Sequence, residues 1–356
     1  MQAFGLRWVD SNGPGLSRSG GAGPSDHKAI TLMHQTVMVP ILNHASALSP
    51  YTAEVQRGGQ SALLFRAGEL IAELGFPKQP EFYKLFTGEG VPYWKIATLH
   101  ASDVLATTVL QTCTRYGNRE TSCQFCAIGQ SLAAKSTIPE KTPAQLAEVA
   151  SAAVRLDGVK HAVLTTGTPR TPDRGAALLA ECARAIKREV ALPVQAQCEP
   201  PADFGWFERM HQAGVDALGL HLEAVTERVR LRIMPGKAEV PVSTYLQAFE
   251  AAVAVFGRAQ VSTYVLAGLG DTKQEILEMC ERVVRLGVYP FVVPFVPIAG
   301  TALEHEPPPQ PGFMREVLDG VAGILAEHQL ESRDIKAGCG RCGACSTLKA
   351  REAARA

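Results

Sequence analysis

The chain has 356 residues, with 35 Lys or Arg against 35 Asp or Glu, so its formal charge is zero. A hydrophobic share of 46% supports one large folded unit or two ordinary ones and excludes a disordered chain. Balanced charge without a basic stripe excludes a dedicated nucleic-acid binder.

Residues 1–100 read as an irregular accessory segment rich in Gly, Pro and Ser (GPGLSRSGGAGPSD, 13–26), with one helix expected over 60–74. The N-terminus lacks a basic start followed by an apolar core. The most apolar stretch, 288–300, is short and carries Pro290, Pro294 and Pro297. The expected location is therefore the cytoplasm, with no membrane partner.

From residue 101 to 330 the pattern is regular. Short apolar runs predict strands over 104–110, 161–165, 193–197, 216–221, 260–267 and 290–296. The clearest helix starts at Thr142 as N-cap with Pro143 in the first helical position, and ends at Asp157-Gly158. Leu146, Val149, Ala150, Ala153 and Val154 supply its apolar face. Further helices are expected over 174–189, 203–213, 241–256, 272–286 and 312–327. Six β/α units in series predict an α/β fold with parallel strands, either a partial barrel or an open doubly wound sheet. In both, the site lies at the C-terminal ends of the strands. Residues 331–356 read as a separate Cys-rich tail.

Six of the nine cysteines fall in two tight groups. In a reducing compartment such groups point to metal or catalysis rather than disulfides. Cys113, Cys123 and Cys126 follow the first strand in CTRYGNRETSCQFC, with nine residues and then two between them. Three thiolates there suit a [4Fe–4S] cluster with one iron left open for a small molecule. Zinc, completed by His161 or His221, and simple packing are the other readings of the spacing.

In that context the sequence resembles the radical S-adenosylmethionine (radical SAM) superfamily, and within it the biotin-synthase-related proteins. The resemblance implies a partial (β/α)6 TIM-like barrel with the cluster cysteines in the loop after its first strand. Phe125 stands where the family often has an aromatic residue before the last cysteine. The loop departs from the family in length, since three residues usually separate the first two cysteines. Carried over strand by strand, the resemblance assigns cofactor contacts to Thr166, Gly167 and Thr168 after the second strand and to Glu199 after the third. His221 and Glu223, two apart on one face of the fourth strand, match positions that bond the cofactor ribose. Arg232, with Arg230 in reserve, matches an arginine that binds the methionine carboxylate, for which a guanidinium fork is suited. Leu266 and Gly268 match the adenine pocket, and 296–303 resembles the biotin-synthase relatives. GGAGPSD (20–26), the long cysteine loop, QCEPP (197–201) and CGRCGACS (339–346) together resemble a group encoded beside nitrilase-type genes. Its reaction is not implied.

Cys339, Cys342 and Cys345 form the second group. Their two-residue gaps and flanking glycines suit a second iron–sulfur cluster, with a zinc knuckle or a redox-sensitive tail as alternatives. Cys198 is a candidate fourth ligand; otherwise the site stays three-coordinate and binds substrate or donates sulfur, and the tail is expected to fold over the barrel mouth. Cys182 and Cys280 read as helical core residues.

The expected function is that of a radical SAM enzyme. It would cleave S-adenosylmethionine reductively to a 5′-deoxyadenosyl radical and take hydrogen from a small-molecule substrate. The one-electron reductant would be external, of flavodoxin or ferredoxin type. The competing class is a non-enzymatic iron–sulfur or zinc protein that carries electrons or serves as a scaffold. It accounts for the cysteines but not for the ordered matches at the strand ends.

Overall fold

The computed structural model describes residues 1–9, 25–33 and 35–355. Residues 20–24 of the GGAGPSD stretch and residue 356 of the tail lie outside the described residues.

The N-terminal part departs from the expected irregular segment. Strands Arg7–Trp8 (β1), His27–Leu32 (β2), Gln35–Pro40 (β3), Tyr51–Val55 (β4), Ser61–Arg66 (β5) and Glu69–Gly75 (β6) form one sheet in the order β1-β4-β5-β6-β2-β3. The helix expected over 60–74 is the β5–β6 hairpin. Ala67 and Gly68 both take positive φ, 50° and 89°, as a two-residue hairpin turn requires. Ala62, Leu64 and Leu74 turn inward onto Leu6, Ile30, Val39 and Ala53, whereas Leu70 and Ile71 are exposed.

The remainder is the expected barrel. Val104–Thr108 (β8), His161–Thr165 (β9), Val194–Gln197 (β10), Ala217–Gly219 (β11), Val261–Ala267 (β12) and Val288–Pro294 (β13) pair in parallel in chain order. Consecutive strands are joined by helices, which gives parallel strands their right-handed crossovers. β8, β10 and β13 are buried along their whole length, as strands covered on both faces must be. Thr98–His100 (β7), which the sequence reading did not anticipate, adds an antiparallel edge to β8. The result is an open sheet, the partial barrel expected, with β7 and β13 as its edges.

The helix starts follow the sequence signals. Helix Pro143–Asp157 opens with a reciprocal capping box between Thr142 and Gln145 and ends on Gly158 in the left-handed conformation. Helix Lys273–Arg285 opens with the same device between Thr272 and Glu275. Cys182 and Cys280 are fully buried within helices. No helix among the described residues is long and apolar enough to cross a membrane.

The tail does not fold over the barrel mouth. It meets the opposite end, where the strands begin. The Gly338 amide donates to His161 Nδ1 at 3.1 Å, on the first residue of β9. Gln260, just before β12, bonds Asp334 O and the Lys336 amide. Further along, Ser346 Oγ donates to Val292 O on edge strand β13 at 2.6 Å. Cys345 lies beside His100 on the other edge strand, β7. The N-terminal sheet docks on the same segment, since Met38 N and Gln2 Nε2 both donate to Ala344 O at 2.9 Å. Tail and N-terminal sheet thus meet at the gap between the two sheet edges.

Candidate functional site

The loop that leaves β8 is pinned to its surroundings by main-chain groups. Gln124 N donates to Ile233 O at 2.8 Å, and Thr121 and Ser122 hydroxyls donate to Arg115 O at 2.9 Å. The turn Cys123–Cys126 is closed by Cys126 N donating to Cys123 O at 3.0 Å. Gly167 lets the loop come this close, because a Cβ there would sit 2.1 Å from Thr112 O. Cys113, Cys123 and Cys126 all line one cavity of about 400 Å³ inside the barrel. Phe125, Thr166, Gly167, Thr168, Glu199, His221, Glu223 and Leu266 line it too.

The polar residues of this upper end form two linked pairs. Glu199 accepts from Thr168 Oγ1 at 2.7 Å and pairs with Arg115 at 3.1 Å. Arg115 also bonds Gly236 O. Glu223 pairs with Lys237 Nζ at 2.7 Å, with both side chains largely buried. Glu223 takes φ 64°, a conformation that costs a non-glycine residue about 1–2 kcal/mol. Two main-chain bonds to β12 hold it there, from Glu223 N to Tyr264 O and from Leu266 N to Glu223 O, both 2.8 Å. Backbone strain of this kind collects at functional positions.

His221 Nδ1 accepts from the Tyr264 amide at 3.2 Å, so the ring proton is assigned to Nε2. That atom is buried without a protein partner among the described residues. Burial, and then the Lys237 charge, push the imidazole down to about 3, so His221 stays neutral and offers a fixed N–H donor to the cavity.

Three expected contacts are displaced. Arg232 is not among the cavity-lining residues, and its Nη2 donates to Leu269 O at 2.6 Å. Arg230, the reserve, is wholly buried and bonds the carbonyls of Leu222, Lys237 and Val240. The cations that do face the cavity are Arg115 and Lys237. Sequence reading passed over both, although Lys237 closes the Met234-Pro235-Gly236-Lys237 stretch beside the arginines. Gly268 also lies outside the lining, packed against Pro309.

The same cavity is lined at its other end by Cys339, Cys342 and Cys345. Gln197 Nε2 lies 3.4 Å from Cys339 Sγ, and Tyr264 bonds the same sulfur. Gln2, Ser25, His27 and Met38 of the N-terminal part complete the wall. Cys198 lines the cavity as expected, but the charges that act on its thiol are Glu199, Asp173, Arg174 and Lys237 of the upper end.

Both thiol groups fit soft-metal chemistry. Burial pushes Cys126 up to about 11 and Cys342 up to about 12, and it pushes Cys123 and Cys345 well above the ordinary thiol range. These groups are protonated at neutral pH until a metal displaces the protons. Among the described residues no three His, Cys, Asp or Glu side chains converge on a single-ion site.

A family model for the radical SAM superfamily matches residues 111–283, from the end of the first barrel strand into the fifth crossover helix. Just under half of the chain thus matches the radical SAM superfamily. The matched domain is that of an S-adenosylmethionine-cleaving radical enzyme with a [4Fe–4S] cluster, which takes a substrate and a reductant. The chain is 26% identical over 306 residues to bacteriochlorophyllide c C-7(1)-hydroxylase of Chlorobaculum limnaeum, across 79% of this chain and 74% of that one. It is 30% identical over 168 residues to lipoyl synthase of Geobacillus sp. (strain WCH70), covering 44% of this chain and 50% of the synthase. The chain thus spans about half the length of the lipoyl synthase it matches. Among solved structures, methylornithine synthase aligns over 68% of this chain and 67% of its own, at 16% identity with TM-score 0.49.

Proposed function

We propose that this radical SAM enzyme acts on a small molecule held inside the barrel between its two cysteine groups, and that it is biotin-synthase-related, of the group encoded beside nitrilase-type genes. The observation that carries the reading is the single cavity lined at one end by Cys113, Cys123 and Cys126 and at the other by Cys339, Cys342 and Cys345. Cys113, Cys123 and Cys126 hold the [4Fe–4S] cluster, and the tail cysteines hold a second iron–sulfur cluster. Bound there, the first cluster and S-adenosylmethionine supply reductive cleavage and hydrogen abstraction from carbon.

The protein's own part is to bind, orient and exclude water. Glu223 accepts hydrogen bonds from the cofactor's hydroxyls while Lys237 fixes its rotamer and neutralises its charge. His221 adds a neutral donor through Nε2–H. The Thr166–Thr168 turn contributes backbone groups, and Glu199, oriented by Thr168 and Arg115, takes an amine. Phe125 and Leu266 give apolar contact. Lys237 and Arg115, rather than Arg232, are the cations able to meet a carboxylate. An external flavodoxin- or ferredoxin-type protein delivers the electron, and nine free cysteines suit the reducing cytoplasm.

The reading is tested by anaerobic reconstitution with iron and sulfide, followed by dithionite and S-adenosylmethionine. 5′-Deoxyadenosine should form in an enzyme-dependent way, and its absence from cluster-loaded protein overturns the proposal.

The site assignments have their own test. Glu223→Ala should weaken S-adenosylmethionine binding by about 1–3 kcal/mol, the cost of losing a charged hydrogen-bonding group, with Lys237→Met in the same range and His221→Ala smaller. Arg232→Ala should stay within about 0.5 kcal/mol, as a substitution away from the site does. Equilibrium dialysis against the labelled cofactor measures all four. A large effect at Arg232 with none at Lys237 would reverse the assignment.

A further inference from the structure

The tail cysteines share their end of the cavity with an imidazole. His100, at the end of β7, lines the cavity, and its Nε2 stands 3.6 Å from Cys345 Sγ. A tetrahedral metal with sulfur at about 2.3 Å and imidazole nitrogen at about 2.1 Å separates those two donors by about 3.6 Å. The pair is hydrogen-bonded in this structure, and the same spacing lets thiolate and imidazole become two ligands on one metal without moving apart. In a four-iron cubane each iron takes one protein ligand, whereas in a two-iron cluster each iron takes two. With Cys345 and His100 paired on one iron, Cys339 and Cys342 remain for the other. Those two bracket a single helical turn, Cys339–Cys342, the two-residue gap that lets paired cysteines reach one metal. Two irons sharing four donors in pairs need no single point of convergence, in keeping with the lack of a one-ion site among the described residues.

The surroundings hold this set in place. Gly338, at φ 114°, lets the turn start against Gln195, where a Cβ would come within 2.2 Å of the side chain. Its amide is anchored on His161 Nδ1. Gln197 and Tyr264 offer hydrogen bonds to Cys339 sulfur, as protein groups commonly do around ligated thiolates.

We propose that the tail site is a [2Fe–2S] cluster held by Cys339, Cys342, Cys345 and His100, with His100 as the fourth ligand in place of Cys198. The proposal rests on the reading that the tail carries an iron–sulfur cluster, and the experiment separates the two. The full chain is reconstituted anaerobically as wild type and in a Cys113/Cys123/Cys126→Ala background, which leaves the tail site alone. Wild type should bind about six irons per chain, and the background variant about two. The dithionite-reduced background variant should show hyperfine coupling to a directly bound nitrogen-14. Adding His100→Cys should keep the two irons and abolish that coupling, and adding His100→Ala should lose the cluster. About four irons in the background variant, or two irons without nitrogen coupling, overturns the ligand assignment but keeps a tail cluster. Persistence of the nitrogen signal in His100→Cys also overturns it. A background variant with no iron, or with zinc alone, overturns the tail cluster itself.

Discussion

Replacing Cys113, Cys123 and Cys126 together by alanine should reduce 5′-deoxyadenosine formation to the level without enzyme. The three thiols sit on one loop that the Gly167 close approach and the Gln124 bond to Ile233 hold against the barrel. They face the same cavity as Glu223 and Lys237. Among the described residues Cys198 is the one further thiol lining that end. Loss of the thiols removes the proposed cluster ligands but little apolar packing, because all three cysteines are only partly buried. The variant should therefore fold, keep its circular dichroism and retain tail iron. Anaerobic assay with dithionite, read by mass spectrometry, decides it, and full cofactor cleavage by the variant would falsify the assignment of this loop.

Arg230→Ala should be among the most damaging single substitutions for stability, by about 3–5 kcal/mol. Its side chain is fully buried and donates to Leu222 O at 2.7 Å, Val240 O at 2.9 Å and Lys237 O at 3.3 Å. The guanidinium also lies 4.9 Å over the Tyr245 ring. Removing it strands three buried carbonyls and opens a void, and losing one side of a buried charged network costs this much. Arg230→Lys should rescue little, since an ammonium cannot reproduce the planar fork. Leu222 adjoins Glu223 and Lys237 is its ion-pair partner, so cofactor affinity should fall with stability. Urea unfolding of the two variants measures the first effect. A loss below about 1 kcal/mol in Arg230→Ala would show that the carbonyls find other donors.

The barrel was legible because its signals are local. Strands buried on both faces read as short apolar runs, and Thr142-Pro143 and Thr272 mark helix starts that the structure keeps as capping boxes. The N-terminal sheet was not legible. The run 61–75 satisfies both periods, since Leu63, Leu64, Ala67, Leu70, Ile71 and Leu74 also fall at helical spacing. Only the left-handed turn at Ala67-Gly68 decides for a hairpin. At the site, the strand-end residues from Thr166 to Leu266 that line the cavity were readable from the resemblance, but which cations line it was not. Three arginines alternate over 228–232, and which one faces inward depends on how helix Glu227–Ile233 is rotated. The structure turns Arg230 into the core and Arg232 toward Leu269. His100 carried no signal, because its strand is an antiparallel addition outside the β/α repeat. Nor could the sequence tell which end of the barrel the tail would reach.

The position of that tail bears on how the molecule is made. Residues 339–345 leave the ribosome after every strand of both sheets has been synthesised, so the chamber lacks part of its wall through most of translation. Until then β7 and β13 are open edges, which invite pairing with other chains. If the tail holds the proposed cluster, its metal can be delivered only after the barrel strands are made, whereas the loop from Cys113 to Cys126 emerges much earlier. On the proposal of two clusters, a ribosome-stalled chain that lacks residues 339–345 should acquire the first metal centre without the second.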